Sequence, residues 1–338
     1  MRYPQAQKIG TMGDEIDLPA FDAMIDRARE KFRALAQRNP ALFGGSNNPR
    51  LALTINEDAS RGTIAVPQGI DVSSTQGLMQ AVDLTELKQT AIAEDIKTIA
   101  AHAHTKKAAT VCVRPEFVAL VKSVTDDNPP PIAVVGFPFV PDPTSATQAV
   151  LEQTRSAIEA GAREIDMVLA MNFKDGTPDY AAHYDYIRQI VEEASKSGVQ
   201  VKVILETAYL SDEQKVEASM IAKMAGATFV KTSTGFARDE LMHPDVPLTQ
   251  KGATVHDVAL MRRTVGDTTC DDAGKPTPMG VKASGGVRTR EQAIALYEAG
   301  ASRIGASGGI DLRTRPEARA DSRNAQQSDG PQSGLSAY

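Results

Sequence analysis

Three charged residues stand in segments that otherwise read as buried β-strands: Asp166 in EIDMVLAM, Lys231 in TFVKTST and Lys282 in MGVKASG. A strand covered on both faces cannot hold an uncompensated charge without destabilising the fold by several kcal/mol. Two lysines sharing one pocket repel each other and lose hydration. Both effects favour the neutral amine and lower at least one lysine pKa toward neutrality. A neutral buried amine attacks a carbonyl, and the iminium it forms is an electron sink for a carbanion on the adjacent carbon, with no metal required. Asp166 is placed to move the protons, directly or through water. A single lysine at a strand end is ordinarily a snorkelling, solvated side chain, and a single strand Asp is often a structural acceptor. The lysines on successive strands are what point to chemistry.

Small residues cluster beside them. Thr232, Ser233, Thr234 and Gly235 follow Lys231, Gly285 and Gly286 follow Lys282, and GASGG (305–309) closes a later apolar run. Glycines at these places let backbone N–H groups approach an anion, so a phosphorylated substrate is expected. There is no GxxxxGK[ST] segment, and no GxGxxG follows the first strand, so nucleotide cofactors lack their usual signature. No metal is expected. The five histidines are scattered, and His102 and His104, two apart on one helix, face different ways. Cys112 in ATVCV reads as a small core residue whose thiol, if near a pocket mouth, reactive enals could attack.

The elements that must position these residues alternate. Short apolar runs at 81–85, 109–113, 131–137, 164–171, 201–207, 228–234, 279–285 and 303–307 are separated by longer amphipathic patterns. Eight such strands predict an α/β fold of the (β/α)8 TIM barrel type, and each lysine then sits toward the C-terminal half of its strand, where barrel enzymes place chemistry. Thr144 and Ser145 predict the start of a helix that ends at Gly161. Ser211 with Gln214 and Thr289 with Gln292 predict capping boxes, with helix exits at Gly226 and Gly300. Residues 1–78 read as an N-terminal extension, with an amphipathic helix over 19–38 and short strands at 51–55 and 62–66. Residues 79–310 are the barrel. The polar segment 311–338 has too little apolar periodicity to fold and is expected to be a disordered tail, leaving the eighth helix short or missing.

Composition removes other classes. A net charge of −6 with only short basic pairs, such as Lys106-Lys107 and Arg262-Arg263, argues against nucleic acid as a partner. Two cysteines, Cys112 and Cys270, make no disulfide framework, and no run of about 18 apolar residues or signal-peptide pattern is present. A cytoplasmic protein with no membrane partner is expected.

The segments VDLTEL, TVCVRPEFV, EIDMVLAMN, VILETAYL, FVKTSTGF, GVKASGGVRT and RIGAS, in this order over roughly residues 80–310, resemble the deoxyribose-phosphate aldolase family. KTSTG together with KxxGG[VI]R[ST] is far more specific than either lysine alone. The resemblance implies a class I, Schiff-base-forming aldolase, a carbon–carbon lyase that reversibly cleaves 2-deoxy-D-ribose 5-phosphate to D-glyceraldehyde 3-phosphate and acetaldehyde, and it implies no cofactor. It implies Lys231 as the Schiff-base lysine, Lys282 as the residue that perturbs its pKa, and Asp166 in the proton relay. Asp83 and Thr85 resemble the substrate-contacting residues of the first strand. Thr234, Gly286, Gly305 and Ser307 resemble the phosphate-contacting set, with Gly308 where some members carry a second serine. Some members end in a tyrosine that reaches the site, as Tyr338 could here. Residues 1–78 and the segment 237–253 depart from the pattern, as a candidate homo-oligomer contact or cover of the mouth. Two alternatives stay open: a class I aldolase with a different phosphorylated donor, and a non-catalytic sugar-phosphate-binding barrel.

Overall fold

In the computed structural model, residues 7–9, 14–43, 48–56, 67, 69–271, 273–308 and 310–312 are described. Eight parallel strands close into a barrel: β1 (Val82–Glu86), β2 (Thr110–Val113), β3 (Pro131–Val135), β4 (Glu164–Val168), β5 (Gln200–Ile204), β6 (Phe229–Lys231), β7 (Gly280–Ser284) and β8 (Arg303–Ala306). Each pairs with the next, and β8 with β1. Helices α1 (Leu18–Arg38), α2 (Pro49–Asn56) and α3 (Thr75–Met79) precede the barrel. Helices α4 (Ala93–Lys106), α5 (Val118–Thr125), α6 (Pro143–Glu159), α7 (Tyr180–Ser195), α8 (Asp212–Met224), α9 (Val255–Val265) and α10 (Arg290–Glu298) surround it. The eight expected strands are all present. Several end earlier than their apolar runs, because the chain turns at the mouth into loops and the single 3-10 turns Met171–Lys174 and Thr207–Tyr209.

Period-two alternation sorts the strand residues into two cores. Val82, Val111, Ile165, Val201, Val230, Val281 and Ile304 face the helices in one large cluster. Cys112, Ile132, Val134, Val168 and Ile204 face inward and form a second, smaller one. The barrel interior is therefore apolar on the side of β2 and β3.

The expected capping boxes close α8 and α10 at their starts. Ser211 Oγ accepts from Gln214 N at 3.2 Å while Gln214 Oε1 accepts from Ser211 N at 3.0 Å, and Thr289 and Gln292 repeat the exchange. Gly226 and Gly300 follow in the left-handed region at φ +95° and +109°, which lets the chain leave each helix sharply. Helix α6 corrects the expected start. Its cap is Asp142, whose carboxylate accepts from Ser145 N at 3.1 Å, with Pro143 in the first turn. An Asp-Pro pair combines a strong cap with a pre-set φ and outcompetes Thr144 and Ser145.

The extension also differs from expectation. Residues 51–55 lie in α2, not in a strand. Asn48 Oδ1 accepts from Arg50 N and Leu51 N at 3.0 and 3.1 Å, Pro49 follows as the first helical residue, and Leu51 and Thr54, three apart, are the buried pair. Alternation over five residues fits either periodicity, and the cap decides. The segment 62–66 lies outside the described residues. Helix α1 does form over the expected stretch and packs on α8 and α9, burying Phe21, Ile25 and Phe32. Asp22 accepts from Arg263 at 2.8 and 3.0 Å, and Lys31 pairs with Glu217. Every residue of α8 from Lys215 to Met224 is consequently buried.

Past β8 the chain stays packed through Leu312. Ile310 and Leu312 are buried, Asp311 bridges to Thr289, and Leu312 O accepts from Thr75 Oγ1 at 2.9 Å. Asp311 and Leu312, counted in the expected tail, are thus packed against the starts of α10 and α3. No helix follows β8 among the described residues, and 313–338, with Tyr338, lies outside them.

His183 on α7 is fully buried, 4.9 Å from the Phe173 ring, and neither ring nitrogen has a hydrogen-bond partner among the described residues. Burial pushes its pKa down from 6.5 to about 4. The unfolded chain then binds more protons than the folded one in that window, so stability is complete above 6.5 and falls as pH drops toward 4, by up to about 3 kcal/mol. Urea denaturation across that window should show this slope, and His183→Leu should flatten it.

Candidate active site

Alternation along β4, β5, β6, β7, β8 and β1 turns a set of ionisable side chains into the barrel: Glu164 and Asp166, Lys202, Lys231, Lys282, Arg303 and Asp83. All but Glu164 and Arg303 are fully buried or nearly so. Lys282 stands in direct register with Lys231 across the β6–β7 pair, as the adjacent-strand reading requires. Both ammonium nitrogens bond the same oxygen, Asp166 Oδ2, at 2.8 Å for Lys231 and 2.7 Å for Lys282. They therefore lie within two hydrogen-bond lengths of each other.

The remaining contacts extend the cluster. Lys282 Nζ is also 2.6 Å from Asp83 Oδ2, and Asp83 Oδ1 is 2.6 Å from Arg303 Nη1. Lys202 Nζ lies 3.1 Å from Asp166 Oδ1 and pairs with Glu164, which Arg303 Nη2 reaches at 3.3 Å. Below them the Phe229 ring lies 5.5 Å from Lys202 Nζ and 6.0 Å from the Arg303 guanidinium. A Cβ at Gly280 would stand 2.0 Å from that ring, and one at Gly305 would stand 2.6 Å from Ser284 Cβ and 3.2 Å from Lys282 Cε. Only glycine leaves the lysines their space.

The electrostatics follow from these distances. Burial disfavours the charge on Lys282, but Asp166 and Asp83 outweigh it and hold its pKa above the ordinary range. The expected depression therefore does not fall on Lys282, since two carboxylates at contact distance override repulsion from neighbouring ammonium groups. Burial likewise opposes ionisation of Asp166, yet Lys202, Lys231 and Lys282 hold its carboxyl well below the usual range. Arg303, Lys282 and Lys202 do the same for Asp83. Among the described residues the cluster holds four cationic side chains and three carboxylates. Loss of one proton from one lysine brings it to neutrality. Lys282 and Lys202 each touch two carboxylates, whereas Lys231 touches Asp166 alone.

Above the cluster opens a cavity of about 380 Å³ at the C-terminal mouth of the barrel. Of the three lysines, Lys231 lines it, together with Thr85, Thr234, Gly286, Gly305 and Ser307. Asp83, Asp166 and Lys282 lie beneath. The wall is zipped across the two small-residue loops: Thr232 Oγ1 donates to Ser284 O at 2.9 Å and Ser284 Oγ to Ser233 O at 2.7 Å. From the segment 237–253, Gly252 sits against Gly285, so close that a Cβ there would be 2.2 Å from the Gly285 carbonyl oxygen. Cys112 is buried in the apolar half, its Sγ 4.0 Å from Asp166 Oδ2, and burial pushes its thiol up. Arg288 also lines the cavity, and Gly308 is not among its lining residues. Sequence reasoning missed Lys202, Glu164 and Arg303. The signal was present, because VKVILET carries a lysine in phase with Ile204, and EIDMV carries Glu164 in phase with Asp166.

The DeoC/LacD family aldolase profile matches residues 77–315. A deoxyribose-phosphate aldolase of Thermococcus gammatolerans is 42% identical over 235 residues, covering 68% of this chain and 92% of the relative. One of Caldanaerobacter subterraneus is 41% identical over 246 residues, covering 71% and 93%. Among solved structures, a tetrameric deoxyribose phosphate aldolase from Aeropyrum pernix superimposes with a TM-score of 0.57 at 26% identity, covering 72% of this chain and 95% of that one.

Removing one partner of a buried ion pair leaves the other uncompensated and typically costs about 3–5 kcal/mol. Asp166→Asn, which leaves Lys231 without a carboxylate partner among the described residues, should lower unfolding stability by an amount in that range in denaturant titrations. An unchanged midpoint would mean the pair is neutral to folding.

Proposed function

The chain belongs to the DeoC/LacD aldolase family, and from that premise we propose that it reversibly cleaves 2-deoxy-D-ribose 5-phosphate to D-glyceraldehyde 3-phosphate and acetaldehyde through a Schiff base on Lys231. The observation that carries the residue assignment is that Lys231 alone of the three clustered lysines lines the cavity and has a single carboxylate partner. Deprotonating it breaks one ion pair, whereas deprotonating Lys282 or Lys202 breaks two.

The steps follow from that placement. The neutral Nζ of Lys231 attacks C1 of the open-chain sugar, and the carbinolamine loses water to give the iminium. Removal of the C3 hydroxyl proton lets the C2–C3 bond break, with its electron pair passing into the iminium to leave an enamine and D-glyceraldehyde 3-phosphate. The enamine carbon takes a proton, and water releases acetaldehyde and regenerates the amine. Asp166, held ionised and bonded to both lysines, is the group that relays protons, and the ammonium of Lys282 is their reservoir. The phosphate lies against the backbone at Gly286 and Gly305 with Ser307 and Arg288 beside it. No step calls for a cofactor.

The protein's working place is taken to be the cytoplasm, in keeping with the buried thiol of Cys112. Among the described residues no helix is long and apolar enough to cross a membrane.

A donor panel tests the substrate. Condensation with D-glyceraldehyde 3-phosphate should proceed with acetaldehyde and not with dihydroxyacetone phosphate, and the opposite preference would contradict the assignment. Lys231→Leu should abolish turnover. Lys282→Leu should fold yet lose at least about a hundredfold in kcat at neutral pH, the scale of a lost acid–base group. Full activity in Lys282→Leu would remove it from the relay.

A further inference from the structure

Glu206 lies outside the lysine cluster, and the mechanism above does not use it. It follows β5, with its backbone at φ +54°, a left-handed conformation that a residue with a Cβ adopts only at a cost of about 1–2 kcal/mol. The neighbouring main chain holds it there: Leu205 N donates to Lys231 O and Thr207 N to Thr232 O, each at 2.9 Å. The strain aims a buried carboxylate at one residue. Thr234 N donates to the two Glu206 oxygens at 3.4 and 3.2 Å, and Thr234 Oγ1 donates to Oε2. The other side of Glu206 faces a cavity of about 330 Å³ whose wall includes Phe137, Leu169 and Leu205, with Lys174 and Arg238 also lining it. Among the described residues its hydrogen bonds come from Thr234 alone.

A threonine hydroxyl has one proton and two lone pairs. At Thr234 the proton is committed to Glu206, and one lone pair receives Phe236 N–H at 3.0 Å. What remains for the substrate cavity, which Thr234 lines, is a single acceptor. A phosphate offers acceptors as well, so this hydroxyl cannot bond to it. A sugar hydroxyl, which can donate, is the complementary group. Building on the aldolase reading above, we propose that Glu206 is a positioning residue that fixes the Thr234 hydroxyl as a hydrogen-bond acceptor, so that Thr234 reads a substrate hydroxyl rather than the phosphate. Glu206→Met removes the acceptor with a side chain of similar length, and the threonine proton, no longer committed, can turn toward the cavity.

The test compares two acceptors condensed with acetaldehyde: D-glyceraldehyde 3-phosphate, and 3-oxopropyl phosphate, which keeps the aldehyde and phosphate but lacks the hydroxyl between them. Assays run above neutral pH, where the Glu206 carboxyl, pushed up to about 7 by burial, is ionised. The wild-type chain should favour the hydroxylated acceptor by about tenfold in kcat/KM, the scale of one hydrogen bond to a neutral group. That preference should fall toward unity in Thr234→Val, in Glu206→Met and in the double variant alike, because Glu206 acts through Thr234 and the effects do not add. Inhibition by inorganic phosphate should be unaltered in Thr234→Val. A wild-type preference retained in Glu206→Met overturns the proposal. So does weakened phosphate inhibition in Thr234→Val with both acceptors losing equally. A wild-type chain that turns over neither acceptor contradicts the aldolase reading itself, and this is seen before any variant is compared.

Discussion

Asp166 carries no solvent exposure and touches three ammonium groups, Lys231 and Lys282 on one oxygen and Lys202 on the other. Three cations converging in a barrel interior are tolerable only with such a carboxylate among them, and the carboxylate is ionised only because the cations surround it. The rest of the interior is arranged around this mutual dependence. Asp83 and Glu164 complete the compensation, Arg303 bridges them, and Gly280 and Gly305 keep side chains out of the volume that the lysines and Phe229 occupy. The apolar half of the interior, on β2 and β3, confines the charges to the opposite side. The cluster holds one positive charge more than balance, and of its three lysines Lys231 is the one that also lines the cavity.

Placement of the site depends on layers outside the barrel as well. The extension, expected as a candidate homo-oligomer contact or cover of the mouth, lies on α8 and α9 through α1, where every residue of α8 from Lys215 to Met224 is buried. The loops after β6 and β7 are tied to each other through Thr232, Ser233 and Ser284, and Gly252 closes on Gly285. Glycine-lined anion sites depend on such bracing, since backbone N–H groups bind only as well as their directions are held.

Much of this was legible in the residues. Eight β-branched runs gave the barrel, because parallel strands covered on both faces cannot be anything but apolar, and the lysines stood out against that rule. The capping boxes of α8 and α10 were readable because both partners lie within four residues of each other. What escaped depends on contacts distant in sequence or on competition between local signals. Residues 51–55 read as a strand until the Asn48 cap turned them into a helix. The start of α6 moved to Asp142. Sequence reading expected at least one lysine of the pair to be depressed, and could not see that Asp83, nearly two hundred residues before Lys282, arrives at 2.6 Å and holds that lysine up. Glu206 looked like one more residue of an apolar run, and its role rests on a backbone angle that no pattern encodes.

The account stands or falls on which amine condenses with an aldehyde. Borohydride reduction of the protein in acetaldehyde, followed by peptide mapping, reads this directly. The account predicts one ethyl-sized adduct, on the peptide containing Lys231, with Lys202 and Lys282 unmodified. An adduct on Lys282, or no adduct at all, would contradict it.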